Sequence, residues 1–191
     1  MSFYKYARKQ YDQPKEKLDR IWKQRLKEWR QEETVKNIEN PTRIPKARAQ
    51  GYKAKEGFNI VRAKVSKGSN KRERPSAGRR PKRAGQVNFS SKKSKQVIAE
   101  ERASKKFPNL EVLDSYWVAE DGNRKWFEII MVDPEHPQIE NDSDINWICS
   151  QKNRAERGMT PASKESRGQD NKGTGAEKVR PSQTANHNKG K

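Results

Sequence analysis

One cysteine, Cys149, stands in 191 residues, so no internal disulfide framework is possible and a reducing compartment fits best. Apolar residues are scarce as well. The chain is 29% hydrophobic and 36% charged, against about 45–50% and 25% in an ordinary soluble domain. A core that uses the whole chain is therefore excluded. No run of about 18 apolar residues exists, so no transmembrane helix can be drawn. The opening Met1-Ser2-Phe3-Tyr4-Lys5-Tyr6-Ala7-Arg8-Lys9 lacks the apolar stretch and cleavage site of a secretory signal. Missing too are a Gly-x-x-x-x-Gly-Lys phosphate loop, a Gly-x-Ser-x-Gly elbow, a His-Glu-x-x-His pair and any zinc-finger spacing. Acid is the scarce sign of charge: 25 Asp and Glu face 44 Lys and Arg, a net charge of +19. What remains is a strongly basic, intracellular chain, long enough for one domain or for a small domain with extensions.

The charge is segregated. Residues 1–40 hold 11 basic and 7 acidic side chains, residues 41–106 hold 21 and 4, residues 107–150 hold 2 and 10, and residues 151–191 hold 10 and 4. Charge gathered in one segment builds a local field rather than a diffuse one.

Periodicity divides the chain along the same lines. Leu18, Ile21, Trp22, Leu26 and Trp29 recur at helical spacing within residues 15–34, behind Pro14, and a shorter helix is expected over residues 3–11 with Ser2 as its cap. Asn40-Pro41 and Ile44-Pro45 are read as breaks in regular structure. Residues 57–66 alternate, with Val61, Ala63 and Val65 opposite Arg62 and Lys64, as a half-buried strand does. Residues 67–90 scatter Gly68, Pro75, Gly78, Pro81 and Gly85 among cations and predict no packed element. Helical character returns over residues 91–106. Leu110–Ala119 and Lys125–Val132 flank the turn residues Glu120-Asp121-Gly122-Asn123, which predicts an antiparallel hairpin ended by Asp133-Pro134. The fold expected is α+β: a small antiparallel sheet with flanking helices and long basic extensions. Residues 1–150 form one body with a basic irregular insertion at about 67–90, and residues 151–191 form a polar, basic C-terminal extension.

The basic segments carry the functional reading. Arg43, Lys46, Arg48, Lys53 and Lys55 are separated by small residues that let a polyanion backbone come close, and Tyr52 among them offers a face to a base or sugar. Lys71, Arg72, Arg74, Arg79, Arg80, Lys82 and Arg83 form a second cluster, too charged to collapse unless a polyanion is present. Arg102, Arg154, Arg157 and Arg167 complete the candidate RNA contacts. A charge run is ordinarily a solvated face, but 21 cations against 4 anions is too lopsided for that. An anionic membrane surface fits less well, because the basic segment has no Trp- or Leu-bearing face. RNA is favoured over DNA, since no basic-region heptad or helix-turn-helix is visible and irregular basic chain suits folded RNA.

The segment from Phe107 to Ser150 is acidic and holds Trp117, Trp126 and Trp147. Its aromatic and β-branched richness marks it as the core, turned away from phosphate. Asp133, Glu135, His136, Glu140, Asp142 and Asp144 lie near Cys149, and close carboxylates could hold Mg²⁺ for a metal-dependent RNA nuclease. The spacing is turn-like, however, and Asn141-Asp142 is better read as the cap of a short helix through Trp147. A chromosomal DNA-binding protein is the other alternative. No cofactor, resident metal, small-molecule substrate or catalytic residue is implied.

With these residues in view, the chain resembles the archaeal and eukaryotic large-ribosomal-subunit protein family fifteen of the "e" type. The resemblance rests on Pro41-Thr42-Arg43, Lys46-Ala47-Arg48, Gly51-Tyr52-Lys53-Ala54-Lys55 with Gly57, Ala99-Glu100-Glu101-Arg102-Ala103 and Ser115-Tyr116-Trp117-Val118. It continues through Glu120-Asp121, Phe127-Glu128, Asp133-Pro134, Trp147-Ile148 and Ser166-Arg167-Gly168, and the tail is closer in style to archaeal members. It implies a structural component of the large subunit, cytoplasmic within the ribosome, with ribosomal RNA and neighbouring large-subunit proteins as partners and no catalysis of its own. It also implies RNA contacts by Arg43, Lys46, Arg48, Lys53 and Lys55, and a body carried by Trp117 and Phe127. Asp114 and residues 161–165 depart from the family pattern, which removes 161–165 from the expected contacts.

Overall fold

The structure, a computed structural model, describes residues 3–12, 19–68, 78–84, 91 and 93–170. Four strands, β1 (Val35–Ile38), β2 (Phe58–Ser66), β3 (Glu111–Glu120) and β4 (Arg124–Val132), form one antiparallel sheet in the order β1-β2-β4-β3. The expected hairpin is β3–β4, with Asp121 Oδ1 accepting from the backbone N–H groups of Asn123 and Arg124 in its turn. Helices α1 (Phe3–Asp12), α2 (Asp19–Gln31), α3 (Ile44–Ala49), α4 (Pro81–Ala84), α5 (Lys95–Lys106), α6 (Pro137–Glu140) and α7 (Pro161–Ser166) are arranged around it. The architecture is α+β, as the sequence implies.

The alternation in β2 sorts its side chains between two cores. Val61, Ala63 and Val65 join Phe127, Ile129 and Met131 under Ala99 and Ala103 of α5. Small residues on α5 let its backbone come close to the sheet, and Ser94 caps the helix by accepting from Val97 N–H at 3.2 Å. The opposite face collects Ile60, Tyr116, Trp126 and Ile130 under Trp29 of α2. That face is covered as well, so β2 is buried on both sides and even Arg62 is only 9% exposed. Its guanidinium lies 4.3 Å from the Trp29 ring centroid and pairs with Glu32 at 2.8 Å, which is how a strand arginine tolerates burial. β4, central and covered twice, is buried from Trp126 through Val132.

Several local expectations are corrected. Ile44-Pro45 does not break structure: it starts α3, where Pro45 occupies the first turn and its missing N–H costs nothing. β1 went unseen because four residues are too few for a period to show. Trp117, expected to carry the body, is 42% exposed, and Trp147 is 44% exposed; of the three tryptophans in this segment only Trp126 is core. Residues beyond 150 are not all peripheral, since Ala155, Thr160, Ala162 and Ser163 are buried and α7 packs against α5 and β3. In the basic insertion, α4 buries no side chain. Residues 1–2, 13–18, 69–77, 85–90, 92 and 171–191, with the expected Ser2 cap, Pro14, Leu18, Lys71, Arg72 and Arg74, lie outside the described residues.

Two features of the fold give measurable outcomes. Gly57, just before β2, has φ +87°, and a methyl group there would sit 2.6 Å from Ile139 Cγ1. Ile139 is fully buried on α6. Gly57→Ala is expected to cost about 1–3 kcal/mol of unfolding free energy in urea titration. Gly68→Ala, with nothing within 4 Å of the new methyl, leaves stability unchanged. The second feature is Glu100 on α5, wholly buried, with Oε2 accepting from Thr160 Oγ1 at 2.6 Å and Oε1 from Ser115 Oγ. Burial raises its pKa against the opposing pull of those two hydroxyls. Between the ordinary value of 4.5 and the raised one, the folded chain holds a proton that the unfolded chain has lost. Stability at this site therefore falls as pH rises through that window, by about 1.4 kcal/mol per pH unit, and then levels. Glu100→Gln removes that slope, so urea titrations from pH 4 to 8 should show the variant gaining on the wild type as pH increases.

Candidate nucleic-acid interface

The site is organised by an acid that never meets solvent. Glu128 on β4 is fully buried; its Oε2 accepts from Thr42 N–H at 3.0 Å and from Tyr116 O–H at 2.6 Å, and its Oε1 accepts from Thr42 Oγ1 at 2.5 Å. These bonds fix Thr42 to the sheet and thereby aim the next residue, Arg43, outward at the start of α3. Arg43 donates to the Trp117 carbonyl at 3.4 Å, and its guanidinium carbon lies 5.9 Å from the centroids of both the Tyr11 and Trp117 rings. Ala47, at 0% exposure, seats α3 on the sheet and leaves Lys46 and Arg48 exposed. α1 packs on α3, and the Arg48 guanidinium stands 5.0 Å from the Tyr4 ring centroid.

Between α1, α3 and β3 lies a cleft of about 490 Å³, lined by Arg8, Tyr11, Arg43, Lys46 and Trp117 with Glu165 as the only carboxylate among its described lining residues. Its inner wall includes Gln50 and Gln96, whose amide N–H groups donate to the Ser115 carbonyl at 2.8 and 2.9 Å. Neither α1 nor α3 has an acid in its first turn. Two segments more than thirty residues apart thus combine into one surface of cations and aromatic rings. Such a surface attracts phosphate and stacks planar groups.

The remaining candidate residues fall into distinct groups. Arg79, Arg80, Lys82 and Arg83 are exposed on and before α4. Arg102, Arg157 and Arg167 are exposed but anchored, donating respectively to the carbonyls of Lys64, Lys152 and Gly158. Arg154 is 7% exposed, donates to the Val112 carbonyl at 3.2 Å and lies over the Trp147 ring, which makes it part of the body. Tyr52 is turned inward, edge-to-face with Phe58 at 6.1 Å, so the ring beside the cations is Trp117 instead. Lys53 and Lys55 both grip Asp142, at 2.9 and 2.5 Å, and Lys53 also reaches Asp144 at 3.1 Å. Lys55 and Lys53 together hold the Asp142 carboxyl well below the usual range.

That clamp also removes the nuclease reading. Asp142 is taken by two ammonium groups, Asp133 Oδ1 accepts from Glu135 N–H, and His136 Nδ1 accepts from Gln138 N–H at the start of α6. Among the described residues no group of three or more His, Cys, Asp or Glu side chains is placed to hold a metal ion. The expected cap by Asn141-Asp142 is also corrected: the 3-10 turn Asn146–Ile148 is capped by Ile145 with no side-chain bond, and Asp142 closes the turn before it, its carbonyl accepting from Ile145 and Asn146 N–H and its Oδ1 from Asp144 N–H. Sequence reasoning missed Arg8, Tyr11 and the exposed Trp117. The available signal was α1 itself, whose apolar side chains are nearly all aromatic and whose Phe3 and Tyr6 stay exposed at 75% and 54%.

Comparison with known proteins agrees with this geometry. The family model described as Ribosomal L15 matches residues 2–186. The large ribosomal subunit protein eL15 of Haloarcula marismortui is 49% identical over 193 aligned positions, covering 100% of this chain and 98% of that one. The protein of the same name in two strains of Halobacterium salinarum is 49% identical, covering 96% of this chain and 95% of theirs. A basic α+β body with one cation–aromatic face, matched end to end, belongs to the eL15 family of ribosomal proteins.

Proposed function

We propose that this protein is a structural constituent of the large ribosomal subunit. In this reading it binds ribosomal RNA and neighbouring subunit proteins and acts by binding rather than catalysis. The observation that carries this reading is the joined surface of α1 and α3, where Arg43, Lys46 and Arg48 project beside Tyr4, Tyr11 and Trp117. Lys and Arg neutralise phosphates and release counterions, while the rings take up exposed bases. Arg79, Arg80, Lys82 and Arg83 add a second exposed group, and Arg102, Arg157 and Arg167 present guanidinium groups held in place by backbone carbonyls. Lys53 and Lys55 serve chiefly to lock residues 53–55 onto Asp142, and Arg154 serves the core. The eL15 name of the relatives supports placement in the large subunit, and the cytoplasm follows from that placement.

The test is sedimentation of the full-length protein with large subunits through a high-salt wash. Retention in the subunit peak is expected. Protein left in the supernatant, or released by duplex DNA as readily as by ribosomal RNA, would remove the ribosomal role.

A further inference from the structure

Trp117 is out of place for a strand residue of a small core. Tyr116 and Val118 on either side are 1% and 2% exposed, while the largest side chain of the three is 42% exposed. It borders two depressions at once: the 490 Å³ cleft with Arg8, Tyr11, Arg43 and Lys46, and a second of about 640 Å³ with Lys95 and Lys125. Both volumes fall in the range of about 300–1,000 Å³ that small-molecule sites occupy. An indole whose two bordering depressions hold, among the described residues, five cations and one carboxylate, Glu165, is poorly suited to an apolar protein partner, and well suited to a flat aromatic group that carries negative charge.

We infer that Trp117 is the stacking platform for one unpaired RNA base, seated in the cleft between α1, α3 and β3 with its phosphates against Arg8, Arg43 and Lys46. This rests on the RNA-binding reading and makes it specific. Arg43, over both Tyr11 and Trp117, holds the two rings at the sides of the cleft, and Glu128 holds Arg43 through Thr42. The phosphates of a base that is flipped out of a helix stay on the backbone side, where Arg8, Arg43 and Lys46 line the cleft. The base itself needs only a π-face and exclusion of water. Glu165, which also lines the cleft, offers an acceptor for an amino or ring N–H group on the base.

The experiment uses the full-length protein with Trp117→Ala and Trp117→Phe, and as probes large-subunit ribosomal RNA, poly(A) and polyglutamate. Trp117→Ala should weaken RNA binding about 5- to 150-fold, the effect of losing one stacked base. The slope of affinity against salt should stay unchanged, because stacking releases no counterions. Trp117→Phe should recover most of the loss, and both variants should melt like the wild type. Ultraviolet crosslinking should join the RNA to Trp117 or Tyr11. Wild-type affinity in Trp117→Ala, or a change in salt slope equal to that of a lost cation, would overturn the stacked base while leaving RNA binding intact. Displacement of poly(A) by polyglutamate at equal charge would replace the base with an acidic peptide. Failure of the wild type to bind any RNA would instead overturn the wider reading.

Discussion

Glu128→Ala is expected to lower the free energy of unfolding by about 3–5 kcal/mol, the cost of removing one member of a buried ionic cluster. Four groups depend on that carboxylate. The Thr42 amide and hydroxyl and the Tyr116 hydroxyl donate to it, and the Arg62 guanidinium lies 3.9 Å away. Truncation leaves these donors facing a void that water reaches poorly, and each buried donor without a partner costs about 1–3 kcal/mol. Glu128→Gln should fall between, since its amide oxygen at the Oε2 position still accepts from the Thr42 N–H and the Tyr116 hydroxyl while its N–H₂ group faces the Thr42 hydroxyl. Urea titration of both variants measures the stability. RNA affinity measured well below the unfolding midpoint measures the second effect, because Thr42 no longer anchors Arg43. A loss in Glu128→Ala below about 1 kcal/mol would mean that the cluster does not hold α3 to the sheet.

The second large effect concerns salt. Replacing Arg79, Arg80, Lys82 and Arg83 together by Ala should flatten the plot of log affinity against log salt by about 3 units, at about 0.7 per phosphate contact on irregular RNA. Between 50 and 200 mM salt this makes the variant's loss of affinity about 50-fold smaller than that of the wild type. Stability should not change, because α4 buries no side chain. An unchanged slope would remove this segment from the RNA contacts. The same four substitutions distinguish charge from stacking, since Trp117→Ala is expected to move affinity without moving the slope.

Elements with enough residues to show a period were readable from the sequence. The alternation of β2, the β3–β4 hairpin and the helical runs of α2 and α5 all follow from where Val, Ile and Trp recur. α3 was hidden by Pro45, whose effect depends on its place within a turn that the sequence alone does not locate. The site was legible in charge and obscure in geometry. Lys53 and Lys55 look identical to Lys46 in a string of residues, yet a loop more than eighty residues later supplies the carboxylates that neutralise two of the three. Trp117 and Tyr52 exchanged roles for a related reason. Which of two aromatic residues faces the cations depends on which face of the sheet α3 covers, and local sequence does not encode that choice.

The outer strand β3 carries a consequence for the chain before it is assembled. The carbonyls of Val112, Ser115 and Trp117 accept from Arg154, from Gln50 and Gln96, and from Arg43. Side chains from three separate parts of the molecule therefore occupy backbone acceptors along an edge that would otherwise recruit a strand from a second copy. Arg43 stands in both sets, capping the edge at the Trp117 carbonyl and lining the cleft proposed for RNA. Replacing Arg43 is therefore expected to weaken RNA binding and to uncover part of that edge together.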